Sequence, residues 1–143
     1  MKNWEVSQVP PEYARHYLIP ITGLMNDKVF SDTLLYTAAD IIVGAMNGEL
    51  ALFIFYEDQE APFLFAAVKI SQYPQGKAAT IIALAGQNIR AAIEWREGFE
   101  LWCQMQGCQV IYFNTHRKLA KIMERYGYRS RSVAVFKPLM TVN

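Results

Sequence analysis

The sequence predicts an α+β chain: a mixed, mostly antiparallel central sheet with helices on both faces. Three observations predict it. The stretch from Thr80 to Phe136 reads strand, loop, helix, strand, helix, strand. Two apolar runs, Leu50–Tyr56 and Phe63–Ile70, flank the polar turn Glu57–Pro62 and read as a hairpin. Stretches of helical periodicity precede the hairpin and interleave with the later strands, so helices are available for each side of the sheet.

In chain order, Trp4 and Val6 alternate with Glu5 and Ser7 and predict a short first strand. Pro10-Pro11 opens a helix, where proline is tolerated because the first amides have no partner. Tyr13, Tyr17, Ile21 and Leu24 recur on one helical face, and Pro20 is expected to kink or split that helix. Asn26-Asp27 ends it. Ser31 is the expected N-cap of a second helix. Leu34, Leu35, Ala38, Ile41, Ile42, Ala45 and Met46 form its apolar stripe, and Asn47-Gly48 supplies the left-handed stop.

Leu50–Tyr56 is apolar at consecutive positions, as a strand covered on both faces should be. Ser71–Lys77 reads as a loop by its Pro and Gly. Thr80–Ala85 is a strand that Gly86-Gln87-Asn88 breaks. Arg90–Gln106 is a helix with Ala92, Trp95, Phe99 and Trp102 on one face. Gly98 within it costs ~1 kcal/mol relative to Ala, which packing is expected to offset. Cys108–Phe113 is a strand. Thr115–Tyr126 is an amphipathic helix with Leu119, Ile122, Met123 and Tyr126 inward and Arg117, Lys118, Lys121 and Arg125 outward. Gly127 stops it, and Tyr128–Phe136 is expected to be a closing strand.

Composition narrows the functional classes. The 143 residues fit one domain, 1–143, with one core. Hydrophobic residues make up 52%, which excludes a disordered chain. The formal net charge of +1 provides no global field toward nucleic acid or membrane. The charge is uneven, however: between Asn114 and Arg131 six Lys/Arg stand against Glu124 alone. Cys103 and Cys108 are too few for a disulfide framework and read as reduced thiols. Two histidines and no Cys/His cluster leave no metal site to expect. No apolar run reaches the ~20 residues of a membrane span, and no signal sequence is evident. A cytoplasmic protein, or one assembled from the cytoplasm, is expected.

The whole element order resembles the GNAT (GCN5-related N-acetyltransferase) fold. The most specific local piece is Asn114–Tyr128, where Gly127-Tyr128 stands in the place of the Gly-Phe that commonly closes this helix in GNAT chains. The resemblance implies an acetyl-CoA pyrophosphate cradle between the fourth strand and the following helix, with the pattern Q/R-x-x-G-x-G/A. There, free amides and the positive end of a helix dipole would receive phosphate. The matching stretch is Gln87–Ala92: Gln87 and Ala92 fit, Asn88 lies within it, and Arg90 replaces the central glycine. Asn114 joins Gln87, Asn88, Arg90 and Ala92 as a candidate cofactor contact. The resemblance also implies a tyrosine acid four residues before the glycine, a position held here by Met123. The glutamate base expected on the fourth strand has no counterpart in Thr80–Ala85. Glu49 and Glu57 read as solvated strand ends. His116 is a base by type and a first-turn surface residue by position.

Both implied sites are therefore altered, and the expected role is that of a pseudoenzyme: a binding or assembly protein with no cofactor. Asn114-Thr115, followed by a basic helix and a glycine, resembles the small GNAT-like internal virion proteins of short-tailed phages, which implies a virion location. The alternative is an acetyl-CoA-dependent N-acetyltransferase with a divergent cradle. Arg117, Lys118, Lys121 and Arg125 are the candidate partner face. It suits an acidic protein surface, or less well nucleic acid, since no aromatic ladder is interleaved with it. Leu101 and Met105 lie off the aromatic stripe, a pattern that fits a helix buried against a neighbouring subunit.

Overall fold

The computed structural model describes residues 3–32, 35–58, 61–131 and 135–139. Among the described residues six strands form one sheet: β1 (Trp4–Gln8), β2 (Val29–Asp32), β3 (Leu50–Glu57), β4 (Leu64–Tyr73), β5 (Gly76–Gly86) and β6 (Cys108–Phe113). A 3₁₀ segment (Pro11–Tyr17) and helices α1 (Leu18–Met25), α2 (Ala38–Met46), α3 (Ile89–Met105) and α4 (Arg117–Glu124) complete the fold. The strand order is β1-β3-β4-β5-β2, with β6 also on β5. Every pairing is antiparallel except β5 with β6, the pair joined by the α3 crossover.

The period-2 alternation of the strands divides the core in two. Leu52, Ile54, Phe65, Ala67 and Ala83 face α1 and α2 on one side. Phe53, Phe55, Leu64, Ala66 and Leu84 face α3 and α4 on the other. The α3 stripe packs as its spacing predicts: the rings of Trp95 and Trp102 both lie 5.0 Å from that of Phe53. Leu101 and Met105 are exposed.

Pro20 splits the first helical stretch as expected. It is the third residue of α1, within the turn whose amides lack intrahelical partners. The segment before it winds as 3₁₀, with three residues per turn. Its inward face is therefore Ala14 and Tyr17, and Tyr13 is exposed.

Three expectations are corrected. Ser31 caps no helix; it lies in β2, a strand the sequence reading missed. The cap of α2 is Thr37, whose hydroxyl accepts from the Asp40 amide at 3.1 Å while Asp40 accepts from the Thr37 amide at 3.0 Å. Thr37-x-x-Asp40 closes a reciprocal capping box that Ser31 cannot. Leu34, placed in the stripe of this helix, lies outside the described residues, and Leu35 is exposed. Second, Ser71–Lys77 is mostly strand, because β4 and β5 run on to a tight turn at Pro74-Gln75. Third, of the expected closing strand, residues 132–134 lie outside the described residues, while 128–131 and 135–139 form no strand.

Candidate functional site

The site is built around the divided edge of β5. One edge of this strand takes β4 from Gly76 to Gly86. The other is shared: β6 runs parallel to it over Lys77–Ile81, and β2 runs antiparallel to it over Ala83–Ala85. Beyond Ile81 and Phe113 the parallel strands part, and β2 stands in the wedge between them. Crevices of this kind, at the carboxyl ends of diverging strands, are where open sheets bind ligands. The two helices that follow, α3 and α4, start at the same end.

Here the wedge holds the chain's own backbone. Ser31 pairs with Leu84 on one side and bridges to Thr115 on the other. The Thr115 hydroxyl donates to the Phe30 carbonyl at 2.6 Å, and the Gly86 amide donates to the Lys28 carbonyl at 2.9 Å. Ser31 is the buried polar residue among the described ones, 2% exposed, with its hydroxyl 3.4 Å from the Ile81 carbonyl. A buried hydroxyl at a strand junction keeps a backbone acceptor partnered where the ladder changes hands.

Gly86 makes the turn into α3. Its φ of +133° suits glycine, and a Cβ there would collide with the Phe63 carbonyl oxygen and come within 2.8 Å of Leu64 Cα. The next amide, that of Gln87, is spent on the Phe63 carbonyl at 2.7 Å. The Gln87 side chain donates to Asp27 at 3.2 Å. Asn88, in the left-handed region at φ +57°, is the N-cap of α3 but its side chain makes no capping bond. Gln87, Asn88 and Arg90 are exposed, and Ala92 is half-buried beside a small apolar cavity of about 60 Å³. This cavity lies between α3, α4 and the sheet, lined by Leu84, Ile93, Phe113, Leu119 and Met123 among others. Asn114 is exposed at the end of β6. The structure thus groups Gln87–Ala92 on one side of β2 and leaves Asn114 on the other.

Three features distinguish this stretch from the Q/R-x-x-G-x-G/A pattern and its surroundings. The arginine at position 90 replaces the glycine that would admit phosphate, Gln87 is tied to a carboxylate that would repel it, and β2 takes the adjoining backbone of β5. Proton donors are also displaced. Met123 is buried. Tyr128 donates to Glu100 at 2.8 Å, and burial together with that carboxylate pushes its phenol up. The Tyr126 ring lies 3.5 Å under the Arg96 guanidinium. Glu49 and Glu57 border β3, two strands away from β5. His116 is the N-cap of α4, its Nδ1 accepting from the Leu119 amide at 3.3 Å.

The basic face forms as the periodicity predicts. Arg117, Lys118, Lys121 and Arg125 are exposed on α4, opposite buried Leu119 and Met123. Among the described residues none of the four is in an ion pair. Like charges at i, i+4 cost ~0.2–0.5 kcal/mol per pair, so the face is mildly destabilising in isolation. Cys103 is buried and its thiol is pushed up to about 12, first by desolvation and then by Cys108 and Glu100. No group of His, Cys, Asp and Glu among the described residues is placed to hold a metal. No helix among them is long and apolar enough to cross a membrane.

Sequence reasoning missed β2, Asp27 and the Glu100–Tyr128 pair. The first had a signal: Val29-Phe30 are strand formers one residue beyond the Asn26-Asp27 stop.

No protein-family model matches the chain, and no curated protein sequence matches it at a significant level. Solved structures do. An aminoglycoside acetyltransferase from an uncultured soil metagenomic sample aligns over 97% of this chain and 100% of its own, with TM-score 0.70 and 12% identity. Glucosamine-6-phosphate N-acetyltransferase from Arabidopsis thaliana aligns over 97% and 100%, with TM-score 0.65 and 14% identity. A GNAT family acetyltransferase from Staphylococcus aureus aligns over 96% and 100%, with TM-score 0.65 and 12% identity. Together with the mixed sheet and its two helical layers, these likenesses establish that the chain has the GNAT acetyltransferase fold.

Proposed function

We propose that this chain is a binding or assembly module on a GNAT scaffold, and that it does not transfer acetyl groups. The observation that carries the reading is β2: the wedge between β5 and β6 is filled by the chain's own strand, bonded on both sides. The absence of any tyrosine at position 123 and the arginine at position 90 support it from the chemical side. The unpaired basic face of α4 supplies a surface for an acidic protein partner. The likeness of Asn114–Tyr128 to small internal virion proteins supports a phage particle as the setting.

Calorimetric titration of acetyl-CoA at low salt tests the reading. No heat at ~1 mM ligand is the expected result, since binding weaker than that is worth less than ~4 kcal/mol. Binding in the micromolar range would sink it. It would then favour the second reading, an acetyl-CoA-dependent N-acyltransferase, for which the exposure of Gln87, Asn88 and Arg90 at the start of α3 is the supporting observation.

A further inference from the structure

The outer faces of α3 and α4 carry opposite charge. On α3, Glu94, Glu97, Leu101 and Met105 fall at i, i+3, i+7 and i+11, which is one stripe, and all four are exposed. Leu101 and Met105 are 57% and 76% exposed. Glu97 reaches the Arg96 guanidinium at 3.6 Å through a contact that leaves its side chain 83% exposed, and Glu94 is in no ion pair among the described residues. On α4 the outer stripe is Arg117, Lys118, Lys121 and Arg125. The one acid of that helix, Glu124, accepts from the Ser130 hydroxyl at 3.2 Å.

The two stripes lie side by side. Both helices cover the same face of the sheet and start at the same end. They are tied together where the Arg96 guanidinium stacks 3.5 Å over Tyr126 and where Tyr128 donates to Glu100 at 2.8 Å. These contacts fix the relative heights of the helices. Lys121 and Arg125 stand within about one turn, ~5 Å along the axis, of the levels of Glu94 and Glu97. One molecule therefore shows an acidic, partly apolar ridge beside a basic ridge, in register with each other.

We propose that two copies of this chain associate face to face, with α3 of each copy lying on α4 of the other about a two-fold axis that runs along the helices. Such an axis exchanges the ridges and keeps their heights. Glu94 and Glu97 of each copy then meet Lys121 and Arg125 of the other, and Leu101 comes against the Tyr126 ring, which is 41% exposed in the single chain. The same contact is made twice, as a two-fold interface requires. Two adjacent helices, each about 10 Å across, over the ~25 Å length of α3 offer ~500 Å² per copy. The total of ~1,000 Å² is the lower limit for a specific interface, so charge complementarity has to select the partner. The inference rests on the assembly reading and deepens it: the acidic surface that suits the basic face of α4 is α3 of a second copy.

Light scattering after size exclusion, on the full chain, tests the pairing. The parent is expected to dimerise at ~100 µM in ~0.1 M salt. Its association should weaken about tenfold in ~1 M salt, where the screening length falls from ~10 Å to ~3 Å. Glu94→Lys/Glu97→Lys makes both ridges basic, and Lys121→Glu/Arg125→Glu makes both acidic. Each variant alone should be monomeric. An equal mixture of the two should dimerise, because each ridge of one then opposes a ridge of opposite sign on the other. The four side chains are exposed, so circular dichroism of each variant should match the parent. A parent that stays monomeric overturns the proposal. So does a dimer that persists in both variants, or a mixture that stays monomeric. Each of these failures leaves the acetyl-CoA titration, and the reading it tests, untouched. Conversely, acetyl-CoA binding by a dimer of this kind would overturn that reading alone.

Discussion

Replacing Thr115 by valine measures how firmly β2 is held in the wedge. The threonine hydroxyl donates to the Phe30 carbonyl at 2.6 Å, in a half-buried position at the junction of β2 and α4. Valine keeps the shape and removes the donor. A neutral hydrogen bond contributes ~1 kcal/mol net, and the cost rises toward ~2 kcal/mol if the carbonyl is left unsatisfied. The site is only partly enclosed, so we expect ~1–1.5 kcal/mol. For a chain of this length that lowers Tm by about 3–6 °C. Urea unfolding followed by fluorescence of Trp95 and Trp102, which pack on Phe53, gives the global number. Amide exchange gives the local one: protection at Ser31 and Ala83–Ala85 should fall more than protection in β4. A loss below ~0.3 kcal/mol with β2 protection unchanged would refute the argument that this hydroxyl secures the strand.

Gly86→Ala is expected to be strongly destabilising, because its Cβ meets the backbone of Phe63 and Leu64 and neither can yield as a side chain would; thermal melting checks this, and a near-parental Tm would mean the turn re-forms another way. Phe53→Ala removes a ring that is 3% exposed and touches two tryptophans, so a loss of ~3–5 kcal/mol is expected in urea unfolding. Thr37→Ala should cost ~1 kcal/mol through the lost cap of α2. The capping amide and hydroxyl of Thr37 hold the Asp40 carboxyl below its ordinary value, so its contribution is present above ~pH 4 and fades as pH falls through the lowered value; Asp40→Asn should flatten that part of the stability–pH profile. Reversing Lys118 and Lys121 to glutamate should abolish capture of an acidic partner while leaving Tm within a few degrees, and unchanged association would show that the basic face is not the contact.

The sheet was legible because its signals are local. Leu50–Tyr56 is apolar at consecutive positions and proved to be covered on both faces, and Cys108–Phe113 is bounded by Gly107 and Asn114. The helical stripe of α3 could be read for the same reason: Trp95, Phe99 and Trp102 fall on one face whatever they pack against. What the sequence hid was pairing between distant segments. Val29–Asp32 is too short to announce itself, and its strand state depends on an edge more than fifty residues later in the chain, where Ser31 pairs with Leu84. The Ser71–Lys77 reading failed because Pro and Gly mark a turn without giving its length. At the candidate site, the alterations at Arg90 and Met123 were visible in the sequence. The occupation of the wedge was not, since it belongs to the register of β2 and to no motif.

The contact between Phe30 and Thr115 spans 85 residues. The ordering cost of closing a loop grows with the logarithm of its length, and on a ribosome the two ends emerge many seconds apart. Until Thr115 has been made, β2 has only β5 to hold it, and until β5 has been made it has nothing. The edge of β5 is thus the last part of the sheet to be completed, and during synthesis it stands open to whatever extended chain is nearest. A growing chain whose Val29–Asp32 segment fails to arrive leaves that edge to a neighbour, so the same feature that closes the finished molecule marks the step at which an unfinished one is most open to misassembly.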